Sequence, residues 1–372
     1  MPISLSTCLQ MYLKKITISG FKNISGRDVH FSPKLNCITG MNGAGKTNLL
    51  DAIYYLSMTK SYFSNLDMHT IAYDVDLCRV SGEYVREDNT TDLISFSLER
   101  AAAKQFRRNS KNYSRLSDHI GVIPIVMVSP YDNCLINESG EERRKFINSI
   151  LSQLDNEYLR RVQNYNQLLA QRNKLLKLDN FSLELLETFS ERLSWNASYI
   201  FEKREEFVNR LFPIVNRYYK TLSGGKEEIA IEYKSDLKKG NLEELLKKNS
   251  DRDRLLKYTS VGIQRDDLLF SMNGHLFRIC GSQGQQKSFL ISLKLAQFEI
   301  MRDMHKRIPL LLLDDLFDKL DMNRVESLLN MVSSNFFGQI FITDSNKVRV
   351  QEILSKINGS SASFEVKSGT IK

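Results

Sequence analysis

Two periods alternate along the chain. Near the N-terminus, "LKKITI", "DVHF" and "KLNCITG" carry alternating or β-branched apolar residues, which predicts short strands between residues 12 and 40. "KTNLLDAIYYLS" (46–57) then repeats its apolar positions at helical spacing, through Leu49, Ile53 and Leu56. Strand patterns return over 77–99 and in "VIPIVMVS" (122–129). From Ser139 to Lys177 the helical period is sustained through Ile147, Leu151, Leu154, Tyr158, Val162, Tyr165 and Leu169, with Ser139 and Glu142 spaced as a capping box. "LDN" at 178–180 interrupts it, and a second helical run continues to Leu211, where Pro213 is expected to kink or end it. These two runs predict an antiparallel hairpin roughly 50 Å long at about 1.5 Å per residue.

After "SGG" (223–225) the pattern reads strand "EIAIEY", a charged helical stretch to about Tyr258, and a hairpin at Asn273-Gly274 within "DLLFSMNGHLFRI". A helix follows over about 285–305. The buried strand "IPLLLLDD", a helix over 322–333, the strand "GQIFIT", a helix over 346–357 and a last strand near "SFEVK" complete the pattern. Strand–helix alternation at both ends around a helical insertion predicts one α/β domain assembled from two separated segments. The expected boundaries are 1–138, 139–221 and 222–372. Residues 1–10 read as a loose extension, and Met11 as an alternative start.

Composition changes this picture little. Hydrophobic residues at 42% and charged residues at 26% are ordinary globular values. No apolar run approaches the ~20 residues of a membrane span. Net charge is +8, which favours a polyanionic partner without specifying one. The cysteines, Cys8, Cys37, Cys78, Cys134 and Cys280, form no Cys-x-x-Cys pair, so neither a disulfide framework nor a thiolate zinc site is expected, and a reducing cytoplasm is.

The sharpest chemical signal is "GMNGAGKT", a complete G-x-x-x-x-G-K-[ST] between a predicted strand and a predicted helix. Gly40, Met41, Asn42, Gly43, Ala44, Gly45, Lys46, Thr47 and Asn48 are the expected ATP-binding residues. Glycines let backbone N–H groups wrap the phosphates, Lys46 reaches the terminal phosphates, and Thr47 places its hydroxyl on Mg²⁺. "LLLLDD" supplies the distal partner: Asp314 for the Mg²⁺ shell, Asp315 to orient or deprotonate the attacking water.

A nucleotide site split around so large an insertion suggests the ATP-binding-cassette class. "GSQGQQKS" (281–288) lies ahead of a helix where that class carries its signature, so Ser282, Gly284 and Gln285 are expected to meet the nucleotide of a second copy. "LSGG" (222–225) matches the consensus letters better but precedes a strand, and reads as a turn. Asp132, after "VIPIVMV", reads equally as a carboxylate near the metal and as a turn residue. The basic run "KQFRRNSKNYSR", with Lys104, Arg107, Arg108, Lys111 and Arg115 and interleaved Phe106 and Tyr113, reads equally as a DNA contact and as a solvated hairpin.

These pieces resemble the RecF family, relatives of the Rad50 and SMC heads. "YLKKITISGFKNI", "GMNGAGKTNLLDAIYYLS", "VSPYDNCLINESGEERRKFI", "GIQRDDL", "GSQGQQKSFLISLKLAQ" and "LLLLDDLFDKLD" follow one another in family order. Ile263-Gln264 stand where the family pattern has Pro-His, and Phe63 where it has Arg. "DKLD" (318–321) takes the D-loop place and Thr343-Asp344 the switch place, without a histidine. The resemblance implies an ABC-type, Rad50/SMC-head-like P-loop ATPase built from N- and C-terminal segments with an inserted antiparallel helical hairpin lobe. It implies a weak DNA-stimulated ATPase acting in the cytoplasm with the nucleoid. ATP and Mg²⁺ would close a homodimer on single- or double-stranded DNA at gaps, with RecO and RecR, to help load RecA. A structural SMC or Rad50 clamp would need far longer arms or a Cys-x-x-Cys hook. A transporter subunit would need "LSGGQ" before the second acidic strand and a switch histidine.

Overall fold

A computed structural model describes residues 9–372 except 25, 101, 318, 319, 333, 335, 349, 351–353 and 355–359. The D-loop residues Asp318 and Lys319, and most of the expected 346–357 helix, lie outside the described residues. Two compact units emerge. One comprises residues up to 132 with 221–224 and 283–372, the other 133–220 with 225–282.

The first unit carries two sheets. In one, β3 (Leu35–Thr39), β8 (Ile125–Val128), β12 (Leu310–Leu313), β13 (Ile340–Asp344), β14 (Ser361–Lys367) and β15 (Thr370–Ile371) are ordered β15-β14-β3-β13-β12-β8. Four of its five pairings are parallel, and only β14–β15 is antiparallel. β3, β8, β12 and β13 are buried at every position, as near-continuous apolar strands covered on both faces must be. The other sheet is antiparallel, ordered β2-β1-β4-β5-β6-β7. Its strands are β1 (Met11–Ser19), β2 (Arg27–His30), β4 (Leu77–Arg86), β5 (Thr91–Glu99), β6 (Gln105–Arg108) and β7 (Lys111–Asn112). β5 alternates buried and exposed along its length, one face on the core and one in water. Helix α1 (Lys46–Met58) is buried almost throughout and joins both sheets in one core with Leu13, Phe21, Leu49, Ile53, Tyr55 and Phe96.

In the second unit, α2 (Cys134–Asn137), α3 (Gly140–Leu154), α4 (Asn156–Leu175) and α5 (Leu183–Ser223) precede β9 (Ile229–Lys234), α6 (Leu242–Lys248), α7 (Ser250–Leu256), β10 (Asp267–Met272), β11 (His275–Leu276) and α8 (Phe277–Cys280). The chain then enters α9 (Gln283–His305) of the first unit and, later, α10 (Met322–Val332).

Four sequence expectations need correction. Residues 225–282 belong with the helices rather than with the split α/β unit, and ion pairs show why: the partly buried Arg143–Asp267 at 2.6 Å and the buried Arg172–Asp253 at 2.8 Å and Arg204–Asp266 at 2.6 Å join helices α3, α4 and α5 to that segment. The first helical run is broken at Asp155, whose side chain accepts from the Glu157 and Tyr158 N–H groups at 2.9 and 3.1 Å and so starts α4 afresh. Pro213 does not end the second run. α5 continues for 41 residues, about 60 Å, because its buried face (Phe207, Leu211, Val215, Tyr219) runs on across the proline. The Ser139 side chain makes no cap, and Glu142 bonds Lys145 at 2.7 Å instead. The Asn273-Gly274 turn forms as expected, with φ of 50° and 79°, while "LSGG" ends α5 and turns through Gly224 and Gly225 into β9.

Candidate functional site

The loop between β3 and α1 wraps tightly. Gly40 has φ 156°, and a Cβ there would strike the Val366 carbonyl. Gly45 has φ 116°, and a Cβ there would meet the Asn23 amide oxygen at 2.8 Å. Asn23 also accepts from Asn48 at 2.8 Å and donates to the Gly43 carbonyl at 3.3 Å, holding the loop from outside. Sequence reading placed Asn48 on the nucleotide and overlooked Asn23, which stands in the "GFKN" block. Met41 projects into solvent at 82% exposure.

Lys46 is the first residue of α1. Its ammonium, in a side chain only 4% exposed, bonds the Gly40 and Met41 carbonyls at 2.9 and 3.2 Å. No carboxylate pairs with it among the described residues. The start of α1 has no side-chain cap and no acidic residue in its first turn. A buried cation beside the positive end of a helix, lacking a counter-charge from the chain itself, is a site for an anion.

Opposite stands Asp314, 3% exposed at the end of β12. It accepts from Thr47 at 3.0 Å on each oxygen, from Thr343 at 2.8 Å and from Ser129 at 3.4 Å. Burial pushes its carboxyl above the usual carboxylate range, and the charge of Asp315 adds to the rise, against the three hydroxyls that lower it. Oxygen donors from Thr47 and Asp314 fit a hard divalent cation such as Mg²⁺. Neither Ser129 nor Thr343 was assigned to this carboxylate from sequence, because each sits alone at the end of a buried strand.

Asp315 adopts φ 42°, a left-handed conformation costly for a residue with a Cβ. Its N–H donates to Thr343 Oγ1 at 2.9 Å, and its carbonyl accepts from Lys287 of α9 at 3.3 Å. Ser282 immediately precedes α9 and is exposed, while Gly284 and Gln285 lie in its first turn. Asp344 ends β13 and caps the following turn through Asn346 N–H at 2.8 Å.

Asp132 does not stand open beside Asp314. It is paired with Lys294 of α9 at 2.7 Å, accepts from the Ser129 N–H at 2.8 Å and from the Tyr62 hydroxyl, and is 3% exposed. Phe63 packs edge-on against Tyr62 and Tyr131 and lies under the Lys22 ammonium at 5.4 Å. Lys22 in turn pairs with buried Asp51 at 2.6 Å. Among the described residues, no three His, Cys, Asp or Glu groups are placed to hold a metal of their own.

The basic run divides. Lys104 is drawn onto Asp67 at 2.8 Å and the Tyr55 hydroxyl at 3.0 Å, and Arg108 onto Asp92 at 3.1 Å. Phe106 is buried against Phe96 and His119, and Tyr113 packs on the same core, so these aromatics stack on the protein. Arg107 is exposed and bonded to Gln105 and Asn112 at 2.9 and 2.8 Å; Lys111 and Arg115 are exposed.

Comparison with known proteins agrees with this geometry. Residues 12–363 match the RecF/RecN/SMC N terminal domain. The chain is 46% identical over 362 residues to the DNA replication and repair protein RecF of Parabacteroides distasonis, covering 97% of this chain and 99% of that one. It is 43% identical to its counterpart in Bacteroides fragilis, covering 97% and 98%. Among solved structures, the recombination mediator protein RecF with ATP, in the RecFOR pathway, superposes with a TM-score of 0.88 at 28% identity, covering 100% of this chain and 99% of that one. An Smc head domain from Pyrococcus furiosus shares the fold alone, with a TM-score of 0.57 at 16% identity over 97% and 95% of the two chains. With its P-loop, its distal aspartates and these relatives covering nearly all of its length, the chain belongs to the RecF family, an ABC-type branch of the RecF/RecN/SMC ATPases.

Proposed function

We propose that this chain is an ATP-dependent DNA-binding protein of recombinational repair and replication-fork maintenance. One observation carries the reading: Lys46 is buried at an uncapped helix start without a carboxylate, across from a Thr47–Asp314 pair. The relatives named for DNA replication and repair, and the solved RecF with ATP, support it.

In this reading the loop from Gly40 to Asn48 binds the ATP phosphates, and Lys46 exchanges its carbonyl partners for phosphate oxygens. Thr47 and Asp314 would hold Mg²⁺, which when bound neutralises phosphate charge. Asp315 positions or deprotonates the attacking water, and its left-handed backbone fixes where its carboxylate projects from β12. Ser282, Gly284 and Gln285 complete the site of a second copy, so ATP favours a homodimer and ADP does not. Lys111 and Arg115, with Arg107, contact DNA phosphates, while Lys104 and Arg108 serve mainly to tie the hairpin down. The relation to the RecFOR pathway makes RecO and RecR the expected partners, and RecA loading the expected outcome. Among the described residues no helix is long and apolar enough to cross a membrane.

Steady-state ATP hydrolysis with and without duplex DNA tests the reading. Slow turnover that rises on adding DNA is expected; turnover indifferent to DNA would refute the coupling.

A further inference from the structure

Strand β13 lies between β3, which leads into the P-loop, and β12, which ends in the two aspartates. Its C-terminal end is therefore flanked by both halves of the nucleotide site, at the edge where open α/β sheets bind ligands. β12 pairs with β13 as far as Leu313 and Ile342. Thr343 comes one residue later and pairs with Ile38 of β3. It stands where β12 has given way to the acids.

Thr343 is fully buried. A buried hydroxyl in an apolar strand needs polar partners, and it finds them in both acids. The Asp315 N–H donates to Thr343 Oγ1 at 2.9 Å, and Oγ1 donates to Asp314 Oδ1 at 2.8 Å. The polarity of this relay is fixed. A backbone amide can only donate, a hydroxyl has one hydrogen, and that hydrogen is left for the Asp314 carboxylate.

The two bonds do different work. The Asp314 N–H still follows the sheet, donating to the Val128 carbonyl at 2.8 Å. At Asp315 the backbone turns to φ 42°, and its N–H goes to a side chain instead. The Asp315 carbonyl accepts from Lys287 at 3.3 Å, so this strained residue is held at both of its backbone polar groups. The bond to Asp314 fixes one carboxylate oxygen. Thr47 also reaches that carboxylate, at 3.0 Å on each oxygen, but Thr47 is itself an expected Mg²⁺ ligand and Thr343 is not.

We propose that Thr343 is a positioning residue of the ATPase site, whose one hydroxyl aligns the metal-side carboxylate of Asp314 and the water-side carboxylate of Asp315 together. It acts through the two acids and not on the nucleotide. Without the hydroxyl, Asp314 loses the bond that sets its orientation, and the Asp315 N–H loses the acceptor that holds its left-handed turn. Both carboxylates then go out of place at once, although neither acid has been changed. The inference rests on the ATPase reading above.

Two variants of the full chain test it. Thr343→Val keeps the β-branched shape and removes both bonds; Thr343→Ser keeps the hydroxyl and removes a methyl. Each is measured beside the parent for melting temperature, for affinity toward a fluorescent ATP analogue across a Mg²⁺ titration and in EDTA, and for steady-state kcat and KM. In the Val variant kcat should fall, and the Mg²⁺ concentration for half-maximal nucleotide affinity should rise, each roughly 10–100-fold. Its KM and its affinity in EDTA should stay parental. The Ser variant should keep a parental kcat and Mg²⁺ midpoint despite a lower melting temperature. A Val variant whose kcat or Mg²⁺ midpoint is parental overturns the proposal, as does a Ser variant with both impaired. The Ser variant keeps the test decisive should Val not fold. A parent that binds ATP without hydrolysing it overturns the hydrolysis reading, while the Mg²⁺ midpoints still decide for Thr343. A parent that binds no ATP overturns both.

Discussion

Lys294 on α9 and Asp132 after β8 form an ion pair of 2.7 Å in which both side chains are only 4% exposed. The pair is closed by the Tyr62 hydroxyl, which accepts from Lys294 at 2.9 Å and donates to Asp132. It ties the helix that follows Ser282 to the loop beside Asp314. A displacement of α9, were one to occur, would therefore pull on that loop directly.

Breaking one partner leaves the other charge buried. Lys294→Met should destabilise the fold by about 3–5 kcal/mol, whereas Lys294→Met with Asp132→Leu should recover much of the loss. Chemical denaturation of both variants checks this, and equal losses in the two would mean that the pair contributes little as a pair.

A pH dependence follows from His119. Burial pushes its imidazole down to about 4, while the bond from Nε2 to the Leu56 carbonyl, 2.7 Å long, opposes the fall. The neutral ring is the folded form. The stability this contributes is present above the ordinary value of 6.5 and is lost as pH falls from there toward 4. At about 1.4 kcal/mol per pH unit the loss reaches roughly 3 kcal/mol. Unfolding free energies between pH 7 and 4 should show it, and His119→Gln should flatten the profile.

Asp314 has the opposite sign. Its raised carboxyl pKa means that folding disfavours the charged form, so its contribution to stability falls as pH rises through its ordinary value toward the raised one. Asp314→Asn should raise the melting temperature at pH 7, lose that gain near pH 4, and abolish ATP hydrolysis. A variant less stable than the parent at pH 7 would show that the bonds from Thr47, Thr343 and Ser129 outweigh the burial cost.

DNA affinity should depend on Lys111 and Arg115 through released counterions. Replacing both with Ala should reduce the slope of log affinity against log salt by roughly 1.8, if each touches one phosphate. Lys104→Ala should instead act mainly on stability, since its ammonium already holds Asp67, Tyr55 and the Thr59 carbonyl. Salt titrations of the two variants distinguish contact from scaffold.

How far these relationships were legible in the sequence follows their range along the chain. The P-loop was readable because its chemistry lies within one short segment, and β12 because four leucines in a row, bounded by Pro309 and two aspartates, are too short a run for a helix and suit a buried strand. The α4 start at Asp155 was not, because the apolar period runs on across it and only the cap bonds reveal the break. The allegiance of 225–282 was invisible too: Arg143, Arg172 and Arg204 look like solvated helix charges until the fold brings Asp267, Asp253 and Asp266 to them. The pairing of Lys104 and Arg108 was out of sight for the same reason, since their partners Asp67 and Asp92 lie on other elements. Local signals gave elements and loop chemistry; distant charge pairing had to come from the structure.

The central claim is that nucleotide held by Lys46 controls DNA binding. Its most direct test is the affinity for one fluorescent duplex measured with ATP, with ADP and without nucleotide, on the parent chain and on Lys46→Ala. The account predicts at least tenfold tighter binding with ATP than with ADP, a difference of about 1.4 kcal/mol or more, and no nucleotide effect in the variant. Equal affinity of the parent in all three conditions would contradict it.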